Sequence, residues 1–267
     1  MNAIQALLLG VIQGLTEFLP VSSSGHLELG KALLGVDASM NITFTVVVHG
    51  ATLLATLVVF SKEIGRLIAG AFQFRWNNEM QYLVKIVVSM IPVVFTGLFL
   101  EHTIEQFFTG NLVFVGAMLW VTALILLLTW IFKNRQGDKP ISYGSAFVMG
   151  IAQAIATLPG ISRSGSTIAA GLLMGNQKGE VAQFSFLMVL VPIIGANVLE
   201  WIRFSGNSGL NNIGWLPLAI GFIAAFLTGW LACAWMVRLV KRGKLAGFAI
   251  YCMAIGSIAI ALGLFGN

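Results

Sequence analysis

Long apolar runs alternate with short polar segments along the whole chain. Six runs are long enough to cross a lipid bilayer as helices, which takes about 20 apolar residues; they cover residues 42–60, 83–100, 112–132, 184–201, 214–236 and 246–265. Four shorter stretches, at 3–19, 24–35, 144–158 and 165–175, form two pairs, each broken by Pro, Ser and Gly. Because stretches of that length are more often re-entrant than spanning, we predict six transmembrane helices and two re-entrant helical hairpins whose breaks are buried in protein.

The two hairpins resemble each other at a constant spacing. Gly10 and Gln13 recur 140 positions later as Gly150 and Gln153, and the Ser-Ser-Ser-Gly at 22–25 recurs as Ser-Arg-Ser-Gly at 162–165. The pattern predicts one membrane domain, residues 1–267, built of two repeats at about 1–135 and 140–267. Each repeat holds three crossings, an odd number, so we expect the second to be inverted in the membrane.

Composition and charge agree with a membrane protein and exclude an ordinary soluble enzyme. Apolar residues make up 58% and charged residues 9% of the chain, and the mean hydropathy is +0.91; a soluble domain carries about 25% charged residues. The net charge of +5 does not indicate nucleic-acid binding, because the basic residues lie between apolar runs. Twelve of them fall on one predicted side and two on the other, with Arg163 left out as intramembrane. The twelve mark the cytoplasmic side, so both termini and the mouth of the first hairpin are expected outside.

The hairpins carry ionisable residues, which are costly inside a membrane and need a reason to be there. Glu17 and His26 lie in the first hairpin and Arg163 in the second. Gln13 and Glu17 are four apart and share a helical face, as do Ser23 and His26, three apart. Arg163 occupies the repeat position of Ser23. Inverted halves that meet at their breaks would therefore bring Arg163 to Glu17, Ser23 and His26.

This combination suits a phosphate group. Serine is a preferred N-cap, and helix N-termini attract anions through free N–H groups and the helix dipole. Arginine adds a bidentate fork, and glycine allows close backbone approach. The predicted phosphate-binding residues are Ser22, Ser24, Gly25, Ser162, Ser164 and Gly165.

Several roles stay open at this stage. Ser23 has the makings of a nucleophile with His26 or Glu17 as its base, or His26 attacks directly. Gln13 and Glu17 offer oxygen ligands for a divalent cation. Against these stand ordinary structural interpretations: serine and glycine as packing surfaces, His26 as a hydrogen-bonded bundle histidine, and Glu17 with Arg163 as a structural ion pair. A lipid transporter is the rival function, since broken helices in inverted repeats are typical of transporters.

Two motifs resemble those of a known family. The string from Gln13 to His26, QGLTEFLPVSSSGH, is similar to the first signature of the bacterial undecaprenyl-diphosphate phosphatases, also called bacitracin resistance proteins, and PGISRSGST, from Pro159 to Thr167, matches their second. The resemblance implies hydrolysis of undecaprenyl diphosphate to the monophosphate, which recycles the lipid carrier of peptidoglycan synthesis. The functional residues it implies are Glu17, Ser22, Ser23, His26, Ser162, Arg163 and Thr167.

The family's other properties follow from the same resemblance. It implies dependence on a divalent cation, Mg²⁺ or Ca²⁺, and no organic cofactor. It also implies an outward-facing site in the bacterial cytoplasmic membrane, in agreement with the charge distribution. The expected partners are a polyprenyl-diphosphate lipid and the bilayer; the sequence leaves a homodimer open.

Overall fold

The computed structural model describes residues 1–36, 41–100, 111–133, 137–205, 213–243 and 245–265. Regular structure in these ranges is α-helical, without a β-strand, as expected for an all-α protein. The helices are α1 (Ala3–Phe18), α2 (Ser23–Leu34), α3 (Asn41–Val59), α4 (Ser61–Ala71), α5 (Asn78–Phe99), α6 (Leu112–Ile131), α7 (Tyr143–Ile155), α8 (Arg163–Leu173), α9 (Lys178–Ser205), α10 (Trp215–Lys241) and α11 (Ala246–Phe265).

Five of these helices are long and apolar enough to cross a membrane by themselves: α5, α6, α9, α10 and α11. The sixth predicted crossing, 42–60, corresponds to α3, which qualifies only together with α4, and the two meet at a bend of 73°. The prediction of an all-α integral membrane protein is therefore confirmed, with five candidate spans in the described ranges, or six if the bent pair counts as one.

Several helices extend beyond the apolar runs that predicted them. α5 begins at Asn78, before the predicted 83, and its first turn is capped by the Asn77 side chain, which accepts from the Met80 N–H at 2.8 Å. α9 begins at Lys178 instead of 184. Hydropathy marks only the part of a helix that suits hydrocarbon, whereas capped polar turns continue the helix past it.

α4 is the one described helix that the apolar runs did not predict. It buries Leu67 and Gly70 and leaves Lys62 and Arg66 exposed. A short amphipathic helix with basic residues on its polar face is typical of one that lies in the plane of the membrane interface. Its polar residues interrupt the apolar pattern, so the apolar runs did not indicate this helix.

The two predicted helix–break–helix pairs are present. α1 and α2 flank a break at 19–22, and α7 and α8 flank a break at 156–162. α2 has 12 residues and α8 has 11, which at 1.5 Å per residue cover about 18 and 17 Å, short of the ~30 Å hydrocarbon core. Neither helix can cross a bilayer unaided.

Each hairpin packs against a helix from the other half of the sequence. α1 runs along α10, and α7 runs along α5, pairings that correspond to one another at the 140-residue spacing. The matched glycines lie in these contacts: a Cβ at Gly10 would lie 2.5 Å from the Gly221 carbonyl oxygen, and one at Gly150 would overlap that of Ser89. Small residues let membrane helices approach this closely. The inverted orientation of the two repeats stays a prediction.

Candidate active site

The two helix breaks lie against each other inside the protein. A Cβ added at Gly25 would lie 3.3 Å from the Gly160 Cα, and one at Gly165 would lie 3.3 Å from the Pro20 Cβ. The Ser164 hydroxyl donates to the Leu19 carbonyl at 3.1 Å. The N-termini of α2 and α8 are thus adjacent, although 140 residues separate them in sequence.

Glu17, at the end of α1, is the centre of the polar contacts. One carboxylate oxygen, Oε1, accepts from Nη2 of Arg163 at 2.6 Å, across 146 positions of sequence. The other, Oε2, accepts from the Ser23 hydroxyl at 2.5 Å and from Nε2 of Gln13 at 2.9 Å. Nε2 of His49 lies 3.8 Å from the same oxygen. The Glu17 side chain is only 8% exposed and that of Arg163 28%, so a buried carboxylate is neutralised by a guanidinium that keeps an open edge.

Serine caps both helix N-termini beside this carboxylate. The Ser22 hydroxyl accepts from the Gly25 N–H at 3.3 Å, and the Ser162 hydroxyl accepts from the Gly165 N–H at 3.0 Å. In each case the serine two positions after the cap is paired with it: Ser22 with Ser24 at 3.2 Å and Ser162 with Ser164 at 3.3 Å. All predicted phosphate-binding serines and glycines therefore lie at two facing helix ends, where the backbone attracts an anion.

His26 forms its side-chain hydrogen bonds with Ser22 and Tyr251 and not with Ser23. Its Nδ1 donates to the Ser22 carbonyl at 2.8 Å, and its Nε2 is 2.9 Å from the hydroxyl of Tyr251 on α11. The His26 and Tyr251 rings are nearly parallel, at 5°, with centroids 5.5 Å apart. Of the two bases that the sequence offers for Ser23, the structure places Glu17 in hydrogen-bond contact with it.

Thr167 lines the cavity next to the carboxylate without touching it. Its hydroxyl donates to the Arg163 carbonyl at 2.8 Å and lies 2.6 Å from the Ser185 hydroxyl. The cavity is lined by Glu17, Phe18, Thr52, Thr56, Arg163, Ser164, Thr167, Ser185, Phe186, Val189 and Ile193. Its wall is polar at the carboxylate end and otherwise mostly apolar, as suits a molecule with a charged head and a hydrocarbon body.

Four of the contributing side chains were not assigned to the site from the sequence. Thr52 and Thr56 on α3, Ser185 on α9 and Tyr251 on α11 all lie in apolar helices. No spacing distinguished these hydroxyls from the many Ser and Thr that bond to their own helix backbone. His49, whose Nε2 lies 3.8 Å from Glu17, is likewise a lone histidine in an apolar helix that no motif marks.

The residues predicted for a divalent cation do not form a complete ligand set. Both oxygens of Glu17 already accept from protein donors, and in the described ranges no group of three His, Cys, Asp or Glu side chains comes together. Of the oxygens on these two residues, Gln13 Oε1 alone fits a cation ligand, since it is buried and accepts from none of the described residues. Since Mg²⁺ and Ca²⁺ take six or more oxygen ligands, these two residues cannot by themselves hold such an ion.

Fold and site together define a polytopic membrane protein with a buried carboxylate, serine and guanidinium where two broken helices meet. Residues 6–258 match the model of the family described as bacitracin resistance protein BacA, and the chain belongs to that family. It is similar to proteins named undecaprenyl-diphosphatase from Parabacteroides distasonis, 50% identical over 98% of both chains, and Bacteroides thetaiotaomicron, 50% identical over 98% of this chain and 99% of that one. A third relative of the same name, from Christiangramia forsetii, is 52% identical over 97% of this chain and 98% of its own.

Proposed function

We propose that this chain is an undecaprenyl-diphosphatase, which hydrolyses the terminal phosphate of undecaprenyl diphosphate and returns the carrier lipid to peptidoglycan synthesis. Release of the carrier from the diphosphate form is also the basis of bacitracin resistance in this proposal. The observation that carries it is the Ser23 hydroxyl, 2.5 Å from Glu17 and beside Arg163 at the junction of two helix N-termini. Membership of the BacA family and the names of the relatives support the same substrate.

In the reaction we propose, Ser23 Oγ attacks the terminal phosphorus while its proton passes to Glu17 Oε2. The bond from that phosphorus to the bridging oxygen breaks, and undecaprenyl phosphate leaves. Before the second step Glu17 gives up this proton to the departing phosphate oxygen or to solvent. Water then attacks the phosphoserine phosphorus as its proton passes to Glu17 Oε2. The phosphorus–Oγ bond breaks, Ser23 Oγ takes the proton back from Glu17, and inorganic phosphate departs. General base catalysis of this kind contributes about 10²–10⁴-fold.

Charge stabilisation falls to Arg163 and the two helix ends. A guanidinium has five N–H donors, and the contact with Glu17 uses Nη2, so the exposed edge can take phosphate oxygens at the same time. Backbone N–H groups of α2 and α8 add fixed positive ends on the other side of the group. Direct attack by His26 is less well supported, because both of its ring nitrogens already have partners.

In this proposal a divalent cation binds only together with the substrate. The phosphate oxygens would supply most of its ligands, with Gln13 Oε1 and, after rearrangement, Glu17 completing the set. Its contribution there would be neutralisation of phosphate charge.

The test is phosphate release from undecaprenyl diphosphate by purified protein in detergent. Ser23→Ala should lose nearly all activity, and wild-type protein quenched during turnover should carry a phosphate on Ser23 by mass spectrometry. Ser166→Ala is the matched control: its hydroxyl is also buried in a hairpin helix but has no hydrogen-bond partner among the described residues, so its rate should equal that of wild type. An unchanged rate in Ser23→Ala would overturn the site, and lipid transport without hydrolysis would favour a transporter.

A further inference from the structure

The first helix break contains an unusual backbone conformation at Ser22. Its φ is +70°, one of two positive values found among described residues other than glycine. A residue other than glycine rarely adopts this backbone conformation unless its surroundings hold it there. Ser22 immediately precedes Ser23, so the direction of the Ser23 hydroxyl depends on this turn.

His26 satisfies the carbonyl of that strained residue. The Ser22 oxygen accepts from the His26 backbone N–H at 3.2 Å and from the His26 ring Nδ1 at 2.8 Å. A carbonyl has two lone pairs, and one residue supplies a donor to each. Because the carbonyl can only accept, Nδ1 must carry a proton, and in the neutral ring Nε2 is left as an acceptor.

Tyr251 occupies that remaining nitrogen. Its hydroxyl lies 2.9 Å from Nε2, so it donates there when the ring is neutral. The next residue on α11, Cys252, has its sulfur 3.7 Å from the Pro20 carbonyl. α11 thus holds the first break at two successive residues, one through the imidazole and one directly.

The second break serves as an internal comparison. Ser162, the counterpart of Ser22, has an ordinary φ of −76°. The positive φ of that break, +97°, falls on Gly160, where it is tolerated, and Thr122 bonds both the Gly160 carbonyl and the Ser162 N–H at 3.0 Å. At the position of His26 stands Ser166, whose hydroxyl has no hydrogen-bond partner in the part of the chain that the structure describes. Of the two breaks, the first has its positive φ on a serine, Ser22, and this is the break that His26 and Tyr251 hold.

We propose that Tyr251 is a positioning residue that acts through His26 to hold the Ser22 turn, and so to direct Ser23 at the substrate. The inference rests on the proposed function for its kinetic test, but not for its structural one. It assigns to the Tyr251 hydroxyl a role that no motif in the sequence carries.

The kinetic test compares Tyr251→Phe with Tyr82→Phe in phosphate release from undecaprenyl diphosphate. Tyr82 is the matched control, because its hydroxyl is buried in the membrane helix α5 and bonds none of the described residues. Tyr251→Phe should lower kcat about tenfold, as expected for the loss of one hydrogen bond, with KM nearly unchanged; Tyr82→Phe should match wild type. In a His26→Ala background, Tyr251→Phe should change kcat by less than about twofold, since its route to Ser23 is already cut.

A second measurement does not depend on activity. The chain has three histidines, and the ¹⁵N resonances of His26 can be identified by their loss in His26→Ala. Wild-type protein should show a protonated Nδ1 and a hydrogen-bonded Nε2, and Tyr251→Phe should shift the Nε2 resonance.

Wild-type kcat in Tyr251→Phe, an equal loss in the His26→Ala background, or an unshifted Nε2 would each overturn the proposal. If wild-type protein released no phosphate, the proposed function would fail, while the nitrogen resonances would still decide whether Tyr251 holds His26 through a hydrogen bond.

Discussion

Removal of Arg163 separates a catalytic role for the Glu17–Arg163 pair from a structural one. The Glu17 carboxylate, 8% exposed in the intact protein, loses its counter-charge in Arg163→Ala and keeps Ser23 and Gln13 as hydrogen-bond donors. We expect a lower free energy of unfolding and no phosphate release. The double variant Glu17→Gln/Arg163→Met should recover most of the stability and none of the activity.

The magnitude follows from the burial of the pair. Unit charges about 4 Å apart at an effective dielectric constant of 20 attract by about 4 kcal/mol, and removing one partner of a buried pair costs about 3–5 kcal/mol. Because the Arg163 side chain is 28% exposed, the lower end, about 3 kcal/mol, is the better expectation. Replacing both charges by neutral side chains of similar size is often close to neutral, so the double variant should lie within about 1 kcal/mol of wild type.

Reversible unfolding by SDS in mixed micelles measures these differences, and phosphate release is recorded on the same preparations. Arg66→Ala is the control, because the Arg66 side chain is 62% exposed and its nitrogen lies 3.9 Å from Glu79; surface pairs of this kind contribute about 0–1 kcal/mol. If Arg163→Ala were as stable as wild type, the electrostatic reasoning would be wrong. If the double variant still released phosphate, the pair would be structural and the proposed chemistry would fail.

Three further predictions concern packing, cation dependence and orientation. Gly150→Ala should destabilise the protein by about 1–3 kcal/mol in the same assay, because its Cβ would overlap the Ser89 carbonyl. Gly97→Ala is the control and should be neutral or slightly stabilising, because its Cβ would meet no described atom within 4 Å. Equal effects of the two substitutions would refute this account of α7 packing. A chelator should abolish phosphate release and Mg²⁺ or Ca²⁺ should restore it, while dialysis of the lipid-free protein against either ion should detect no tight site; tight binding without lipid would contradict a cation that arrives with the substrate. In intact cells, a cysteine introduced at Arg75, between α4 and α5, should resist a membrane-impermeant thiol reagent, and labelling from outside would reverse the proposed orientation.

The sequence predicted those parts of the site in which a residue type is energetically unfavourable in its segment and so signals a function or a partner. A carboxylate and a guanidinium inside apolar segments require a partner, and the constant spacing of the two hairpins indicated that Glu17 and Arg163 were partners for each other. The structure joins them at 2.6 Å. The short lengths of α2 and α8 were likewise visible, because hydrocarbon thickness sets a minimum that these stretches do not reach.

The other parts of the site depend on contacts between helices, and the pattern of apolar and polar residues does not indicate these contacts. Tyr251 lies in a helix that is apolar around it, where an aromatic residue is ordinarily a packing or interfacial side chain, and only the fold brings it to His26. The 73° bend between α3 and α4 likewise had no signal in the apolar pattern. The sequence also left open whether Glu17 or His26 would bond Ser23, whereas in the structure Glu17 does and His26 bonds Tyr251.

The pairing of α1 with α10 also bears on how the protein is made. α1 begins at Ala3 and α10 at Trp215, and at about 5–20 residues per second a ribosome takes roughly 10–40 s to travel between them. During that interval the newly inserted first hairpin lacks the surface that covers Gly10. Biogenesis must therefore shelter an unfinished amino-terminal half until nearly the entire polypeptide has been synthesised, and truncated translation products should be targets for membrane proteases.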